Sequence, residues 1–97
     1  MTSKQRAYLK SLAMDMDPVF QIGKASLTPE VIQSVREAID KRELIKGSVQ
    51  KSCMDDPREI GEVLAERTRS QLVQVIGRKI VLYKPAKDEA KRKIQLP

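Results

Sequence analysis

Apolar residues recur along this chain at two different spacings, and polar or turn-forming residues separate the segments that carry them. Apolar positions three or four residues apart indicate an amphipathic helix, whereas alternation or a short apolar run indicates a strand. The predicted elements are, in chain order, a helix between Thr2 and Pro18, a strand over Val19–Ile22, a helix from Pro29 to about Arg42, a strand from about Glu43 that carries Leu44, Ile45 and Val49, a helix from Pro57 to about Ser70, and strands over Leu72–Ile76 and Lys79–Lys84.

Residues that cap helices stand at the start of all three helical segments. They are Thr2 with Gln5, Thr28 with Pro29, and Asp56 with Pro57 and Glu59. Pro18 is expected to end the first helix, because the residue before a proline is pushed out of the helical region.

Helical spacing also predicts which side chains face the core. The expected apolar face of the first helix is Tyr8, Leu9, Leu12, Ala13 and Met16, with Lys4, Arg6 and Lys10 on the wetter side. The third helix is expected to bury Ile60, Val63, Leu64 and part of Arg67.

The order of elements predicts a two-layer α/β domain, α-β-α-β-α-β-β, around a mixed four-stranded sheet. Right-handed crossovers make the first three strands parallel, and a tight turn at Gly77-Arg78 makes the fourth antiparallel to them. The unbroken apolar run Ile80–Tyr83 indicates an interior strand. Gly47, inside the second strand, indicates a bulge or a close backbone approach.

The periodic pattern stops after Pro85. Residues 86–97 hold four basic and two acidic residues with little apolar content. They are expected to form either a flexible cationic tail or a short frayed helix. The expected division is therefore a domain over residues 1–84 and a basic tail over residues 85–97.

Composition narrows the class of partner. Nineteen Lys and Arg against 13 Asp and Glu give a net charge of +6, which favours a polyanion such as nucleic acid. A length of 97 residues implies one small domain. Cys53 is the single cysteine and histidine is absent, so neither an internal disulfide nor a usual zinc site is expected. With no long apolar run or secretory core, we expect a cytoplasmic protein with no membrane partner.

The stretch Val19–Val31 carries the clearest candidate chemistry. It is predicted to be a strand, the loop Gly23-Lys24-Ala25-Ser26, and a helix start at Thr28 and Pro29. The free N–H groups at a helix start and a neighbouring lysine favour binding of an anion, with phosphate the obvious guest. The segments after the parallel strands emerge at one edge of the sheet, so a basic edge is predicted there. Its basic members are Lys24, Lys51, Arg78 and Lys79.

Several blocks of this sequence resemble one family. They are Gln5-Arg6 with Leu9 and Leu12-Ala13, Pro18-Val19, Gln21-Ile22-Gly23-Lys24, Leu27-Thr28, Glu43-Leu44-Ile45-Lys46, Leu72-Val73-Gln74-Val75-Ile76-Gly77-Arg78 and Val81-Leu82-Tyr83. Together, over roughly residues 2–84, they look like the CRM domain (chloroplast RNA splicing and ribosome maturation). The resemblance implies an RNA-binding domain with a sheet in the order 1-2-4-3, similar to the C-terminal domain of translation initiation factor 3. It also implies, for a bacterial single-domain protein, binding to precursor large ribosomal subunits and a part in their assembly.

The chain departs from the family pattern at a few positions. The family loop is usually Gly-x-x-Gly, like the KH-domain loop that clamps a nucleic-acid backbone, whereas here Ser26 takes the place of the second glycine. Serine tolerates positive φ less well, at a cost of roughly 1 kcal/mol if that geometry is required. Gly47 stands where a β-branched residue is more usual, and Asp15 and Asp17 make a commonly basic connection acidic.

Each candidate has a plainer interpretation. Gly23–Ser26 also fits an ordinary strand-to-helix turn with a solvated lysine, and Gly77-Arg78 is a hairpin turn whether or not Arg78 contacts phosphate. Arg6 and Lys10 are interpreted as solvated charges. Asp55 and Asp56 form no convincing catalytic pair, since capping accounts for Asp56.

Three functional classes fit a small basic domain: an RNA-binding assembly factor, a DNA-binding or general nucleic-acid-binding protein without a ribosomal role, and an enzyme. No helix-turn-helix spacing favours DNA, and no nucleophile-base pair or cofactor motif favours catalysis. We therefore predict a monomeric RNA-binding protein without cofactor, metal or small-molecule substrate. The predicted RNA-binding residues are Gly23, Lys24, Ala25, Ser26, Thr28, Lys51, Arg78 and Lys79.

Overall fold

In the computed structural model, which describes residues 1–97, each helix begins at the cap that the sequence predicts. The helices are α1 (Ser3–Ala13), α2 (Pro29–Arg42) and α3 (Pro57–Thr68). Thr2 and Gln5 exchange hydrogen bonds of 3.1 Å between side chain and backbone in a reciprocal capping box. The Thr28 hydroxyl accepts a hydrogen bond from the Val31 N–H at 3.2 Å. The Asp56 carboxylate caps α3 by accepting a hydrogen bond from the Arg58 N–H. Capping chemistry thus sets all three starting points.

Helix α1 is shorter than predicted and buries less. It ends at Ala13 rather than near Pro18, and the Met16 N–H donates to the Ala13 carbonyl at 3.1 Å in a turn that leaves the helix. A proline sets only the last position at which a helix can end, and here the chain leaves the helix before it reaches Pro18. Of the expected apolar face, Leu9 and Ala13 are buried. Tyr8 and Leu12 are 38% and 37% exposed, which corrects the prediction.

The buried face of α3 is rotated from the predicted one. It contains Ile60, Gly61, Leu64 and Thr68, whereas Val63 and Arg67 are exposed. A Cβ built on Gly61 would lie 2.9 Å from a Leu72 methyl carbon, so the glycine lets the helix approach the sheet closely. The apolar spacing of Val63 was therefore misleading.

The four strands form one mixed sheet. They are β1 (Phe20–Ile22), β2 (Leu44–Val49), β3 (Gln71–Ile76) and β4 (Lys79–Tyr83), in the spatial order β1-β2-β4-β3. Strands β1 and β2 are parallel, and β4 is antiparallel to both β2 and β3. Gly77, at φ 58°, and Arg78 form the tight turn between β3 and β4. The α/β class, the order of elements and the interior position of β4 are confirmed.

Helices cover both faces of the sheet, so the domain has three layers and the predicted two-layer arrangement is wrong on this point. The larger core joins α2 and α3 to one face and the smaller core joins α1 to the other. The cause lies in β4, where Ile80 and Leu82 face the larger core while Val81 and Tyr83 face the smaller one. A strand that is apolar on both sides needs cover on both sides.

Two local features of the sheet differ from the sequence prediction. Gly47 pairs regularly with its neighbours, and the close approach comes from the Phe20 ring, whose Cζ would lie 2.0 Å from a Cβ at this position. The bulge lies in β3 instead, between Leu72 and Gln74.

Arg6 binds the bulge and is not the solvated charge that was expected. Its Nη1 donates to the carbonyl oxygens of Leu72 at 2.8 Å and Val73 at 2.7 Å. The long side chain reaches from α1 across the sheet edge, a contact that spacing along the chain does not reveal.

The last residues of the chain pack back onto the domain around Glu43. Its carboxylate, 2% exposed, accepts backbone hydrogen bonds from Ala86 at 2.8 Å, Lys93 at 2.5 Å and Ile94 at 3.1 Å. We call this arrangement the Glu43 anchor. Residues Glu89–Lys91 form a 3-10 helix, and Ile94 and Leu96 contact the smaller core.

The Glu43 anchor changes the titration of two groups. Burial alone would raise the pKa of the Glu43 carboxyl, but the three backbone N–H groups and the charge of Lys93 together hold it below its ordinary value of 4.5. Burial, helped by the Glu43 carboxylate, raises the pKa of Tyr83 above 10.0.

None of the helices is long and apolar enough to cross a membrane.

Candidate nucleic-acid interface

Three connecting segments meet at one end of the sheet, which we call the loop end: residues 23–28 after β1, residues 50–56 after β2, and the turn 77–78. The Gln50 N–H donates to the Ile22 carbonyl at 2.8 Å, and the Gln50 side-chain amide donates a hydrogen bond of 2.6 Å to the side-chain oxygen of Gln21. The Ser26 hydroxyl donates to the Asp55 carboxylate. The predicted convergence of these segments at one sheet edge is therefore present.

The loop Gly23–Ser26 has the backbone geometry of a tight turn. The Ser26 N–H donates to the Gly23 carbonyl at 2.9 Å, and Ser26 itself adopts φ 57°. Serine thus occupies the left-handed region for which glycine is better suited. Lys24 and Ala25 are exposed at the tip, and their backbone N–H groups make no hydrogen bond within the protein.

The start of α2 offers fewer free donors than a helix N-terminus can. Pro29 has no N–H, Val31 donates to the Thr28 hydroxyl, and Ile32 donates to the Thr28 carbonyl. The Glu30 amide remains, next to its own carboxylate. Both donors of Ser26 are likewise bonded within the protein, and Asp55 places a negative charge beside it. An anion would therefore find its donors at the backbone N–H groups of Lys24 and Ala25 rather than at Ser26.

Arg78 ties the loop end together. Its Nε donates to the Val49 carbonyl at 2.7 Å, and the Arg78 carbonyl accepts from the Val49 N–H at 2.8 Å. Its Nη2 donates to the carbonyls of Gln50 at 2.6 Å and Cys53 at 3.3 Å. Nη1 makes no hydrogen bond within the protein. The guanidinium thus positions the segment that carries Lys51, whose side chain is exposed.

A polar row of sheet residues adjoins the loop end, and sequence analysis identified only Lys79 in it. Strand register aligns Gln21 with Ser48, Ser48 with Lys79, and Lys79 with Ile76. The Lys79 ammonium donates to the Ser48 hydroxyl at 3.1 Å, and Ile76 is 59% exposed. Directly paired strand residues project to the same face of the sheet. Here this is the face on which α1 packs, and the polar row lies outside the part that α1 covers.

Lys46 lies on that same face two residues before Ser48 along β2. The alternation of Lys46 and Ser48 with buried neighbours was the sequence signal for this face, but the row becomes visible only when the strand order and register are known. The three segments of the loop end and the polar row thus lie at neighbouring positions of the same end of the sheet. No group of three His, Cys, Asp or Glu side chains is placed to hold a metal ion.

Comparison with known proteins gives a consistent set of relatives. Residues 1–84 match the sequence model of the CRS1 / YhbY (CRM) domain. The chain is 43% identical over 97 residues to the probable RNA-binding protein YqeI of Bacillus subtilis, covering 100% of this chain and 99% of the relative. It is 34% identical over 97 residues to an RNA-binding protein of Haemophilus influenzae, covering 100% and 95%.

A solved structure has the same fold. The solution structure of SAV1595 from Staphylococcus aureus superimposes with a TM-score of 0.83 at 45% identity, covering 100% of this chain and 99% of that one. The resemblance noted in the sequence and the fold that it implied are both confirmed.

Proposed function

Because this chain belongs to the CRS1 / YhbY (CRM) domain family, we propose that it is an RNA-binding protein that grips the phosphate backbone at the loop end. The observation that carries the proposal is the meeting of three segments that bring Lys24, Lys51 and Arg78 to one end of the sheet, beside free backbone N–H groups. RNA binding is also what the names of the Bacillus and Haemophilus relatives state of those proteins.

Recognition on this surface would follow backbone shape more than base identity. The three aromatic residues offer no stacking platform at the loop end: Tyr83 is 2% exposed, Tyr8 lies on α1, and the Phe20 ring covers Gly47. Single-stranded sequences are generally read by stacking on exposed aromatic side chains. Lysine and arginine charges with backbone amides suit a structured RNA, whose phosphates have fixed spacing.

We further propose that the RNA is ribosomal RNA within a precursor of the large ribosomal subunit, and that the protein acts in assembly of that subunit. The support is the family resemblance together with the shape-directed surface. The protein would act without catalysing a reaction.

A salt titration tests the role of the loop end. For the double variant Lys24→Ala, Lys51→Ala bound to transcribed large-subunit ribosomal RNA, the slope of log K against log salt should fall by roughly 0.7 to 0.9 for each phosphate that the variant no longer neutralises. The double variant Lys4→Ala, Lys10→Ala is the matched control, since both are exposed lysines on α1 that make no salt bridge. Equal slopes for the double variant and the control would refute binding of phosphate at the loop end.

Two further measurements separate the ribosomal role from general nucleic-acid binding. Sedimentation of a cell extract should place the protein with large-subunit particles, and the double variant should shift to the top of the gradient. Competition with duplex DNA at equal phosphate concentration should leave most RNA bound. Equal competition by DNA, with no co-sedimentation, would favour the alternative of a general nucleic-acid-binding protein.

A further inference from the structure

A second basic surface lies at the opposite end of the sheet, and the loop-end proposal makes no use of it. There, the end of α3, the side of α2 and the residues after β4 enclose a cleft of about 540 Å³. Five cationic residues line this far cleft: Arg36, Arg67, Arg69, Lys84 and Lys87. No acidic and no apolar side chain other than proline lines it.

The charges of the far cleft are only partly compensated. Lys84 pairs with Asp40 at 2.9 Å, but Asp40 is a surface carboxylate whose side chain is 53% exposed. Arg36 donates to the Arg67 carbonyl at 2.9 Å, a bond that orients the guanidinium without neutralising it. Arg67, Arg69 and Lys87 pair with no carboxylate. Like charges around one concavity repel one another, so a polyanion that fills it gains from all of them.

Hydrogen bonds fix the backbone that presents these side chains. Arg69 ends α3 in the left-handed region at φ 57°, and the Ser70 N–H closes the helix by donating to the Ala65 carbonyl at 2.8 Å. The Thr68 hydroxyl is bonded to the Leu64 carbonyl at 2.7 Å. The arginines on either side of Thr68 therefore project from a fixed turn.

Stabilisation of helix C-termini accounts for only part of the cluster. Arg67 and Arg69 stand at the negative end of α3, where cations are favourable. Arg36 lies in the middle of α2 and Lys87 lies outside any helix, so neither gains from a helix end. Their presence in the same concavity needs another explanation.

We propose that the far cleft binds a second segment of RNA backbone, so that one protein molecule holds two backbone segments of a folded RNA. This inference rests on the proposed RNA-binding function. The two surfaces stand at the two ends of β4, whose five residues span roughly 17 Å at about 3.4 Å per residue. The far cleft opens beside α2 and α3, on the side of the larger core, whereas the polar row at the loop end lies on the α1 face. A single strand of RNA that follows one face would leave the other uncovered, whereas two segments brought together by RNA folding can occupy both.

The test compares three sets of charge removals with the same transcribed large-subunit ribosomal RNA. The far-cleft set is Arg67→Gln, Arg69→Gln and Lys87→Gln. The loop-end set is Lys24→Gln and Lys51→Gln, and the control set is Lys4→Gln, Lys10→Gln and Lys91→Gln, which removes the same charge as the far-cleft set from exposed positions. Glutamine removes the charge but keeps a polar side chain with good helix propensity, and thermal melting confirms that each variant is folded.

We expect the salt slope of the far-cleft set to fall by roughly 2 to 3 relative to the parent, and that of the control set to change by much less. Hydroxyl-radical footprinting should show two protected RNA segments with the parent. The far-cleft set should lose one segment and the loop-end set the other.

The outcomes are distinguishable. If the parent does not bind RNA, the proposed function fails and the inference with it. If the parent binds and the loop-end set weakens binding, but the far-cleft set matches the control in slope and footprint, the inference alone is overturned. The far cleft would also be excluded as an RNA site if its variants bound RNA normally and lost only co-sedimentation with particles, which would indicate an acidic protein partner.

Discussion

At each end of the sheet, one charged side chain holds a chain segment by hydrogen bonds to its backbone, and the two side chains have opposite charge. At the loop end, the Arg78 guanidinium donates to three backbone carbonyls, and at the other end the Glu43 carboxylate accepts from three backbone N–H groups. Each charge fastens a chain segment by its main chain and makes no salt bridge. Ionised groups make stronger hydrogen bonds than neutral ones, so a single side chain is enough to hold each segment.

The two ends differ in how much hydrogen-bonding capacity remains for a ligand. Glu43 is almost fully buried and all its bonding capacity points inward, so its role is structural. Arg78 is half-buried and keeps Nη1 free at a surface where Lys24 and Lys51 are exposed. Half-burial therefore permits one side chain both to hold a loop and to present charge to a ligand.

The largest effect is expected on removing the buried anchor. Glu43→Ala leaves three backbone N–H groups without their acceptor and should lower the free energy of unfolding by about 3 kcal/mol. Urea denaturation measures the loss, and trypsin should cleave faster after Lys91 and Arg92 because the last residues detach. The control is Asp40→Ala, which removes only a surface pair worth less than about 1 kcal/mol. A loss for Glu43→Ala no greater than for Asp40→Ala would show that the anchor contributes little.

Substitution of Arg78 should have an intermediate effect on stability and a separate effect on RNA binding. Arg78→Ala should cost about 2 kcal/mol of stability, and Arg78→Lys about 1 kcal/mol, because lysine keeps the charge but cannot reach several carbonyls at once. Urea denaturation measures this structural part, and the RNA salt slope measures the charge.

The matched control for Arg78 is Arg58→Ala, since the Arg58 side chain is exposed and makes no hydrogen bond. Arg58→Ala should change stability by less than about 0.5 kcal/mol. Equal urea midpoints for Arg78→Ala and Arg58→Ala would mean that Arg78 contributes to the binding surface and not to stability.

A smaller effect is expected at Ser26, whose φ of 57° lies in the left-handed region that costs serine more than glycine. Ser26→Ala and Ser26→Gly both lose the bond to Asp55, but only glycine relieves the backbone, so Ser26→Gly should be more stable by about 1 kcal/mol. At Ala25, where φ is not positive, the change to glycine should instead destabilise. Thermal melting of the three variants decides whether the loop backbone is strained.

The smallest effect is a difference in acid sensitivity. Because the pKa of Glu43 in the folded chain lies below its ordinary value of 4.5, the unfolded chain binds more protons at moderately low pH. The stabilisation from Glu43 is thus complete above about pH 5 and is lost as the pH falls through the folded-state pKa. Urea midpoints between about pH 6 and about pH 3 should fall less steeply for Glu43→Gln than for the parent. Parallel curves would contradict the lowered pKa.

Local chemistry predicted the parts of this fold that depend on local rules. Thr2, Thr28 and Asp56 begin helices because a side-chain oxygen beside free amides is a short-range device. The continuous run in β4 predicted an interior strand because its apolar residues alternate between two faces, although we inferred only two layers from it. The basic residues of the loop end were also identified, since strand direction alone brings their segments together.

What could not be predicted depends on long-range contacts or on unusual backbone geometry. Arg6 was interpreted as a solvated charge, and Arg78 as an RNA-binding residue with no structural role beyond its turn, because their carbonyl partners are distant in the sequence. Glu43, at φ 65°, ends α2 where glycine would be the usual signal. Ile94 and Leu96 bury against the smaller core from a segment too polar to suggest packing. These contacts follow from tertiary register, which no single stretch encodes.

The bulge in β3 has a consequence for how this protein behaves at high concentration. An open sheet has two margins whose unpaired backbone groups can recruit a strand from another molecule and nucleate aggregates. One margin here, β1, is three residues long, and on the other the Arg6 guanidinium occupies the carbonyls of Leu72 and Val73 at the bulge. Arg6 thereby blocks part of this margin, and we expect a chain that lost it to aggregate more readily through the edge of β3.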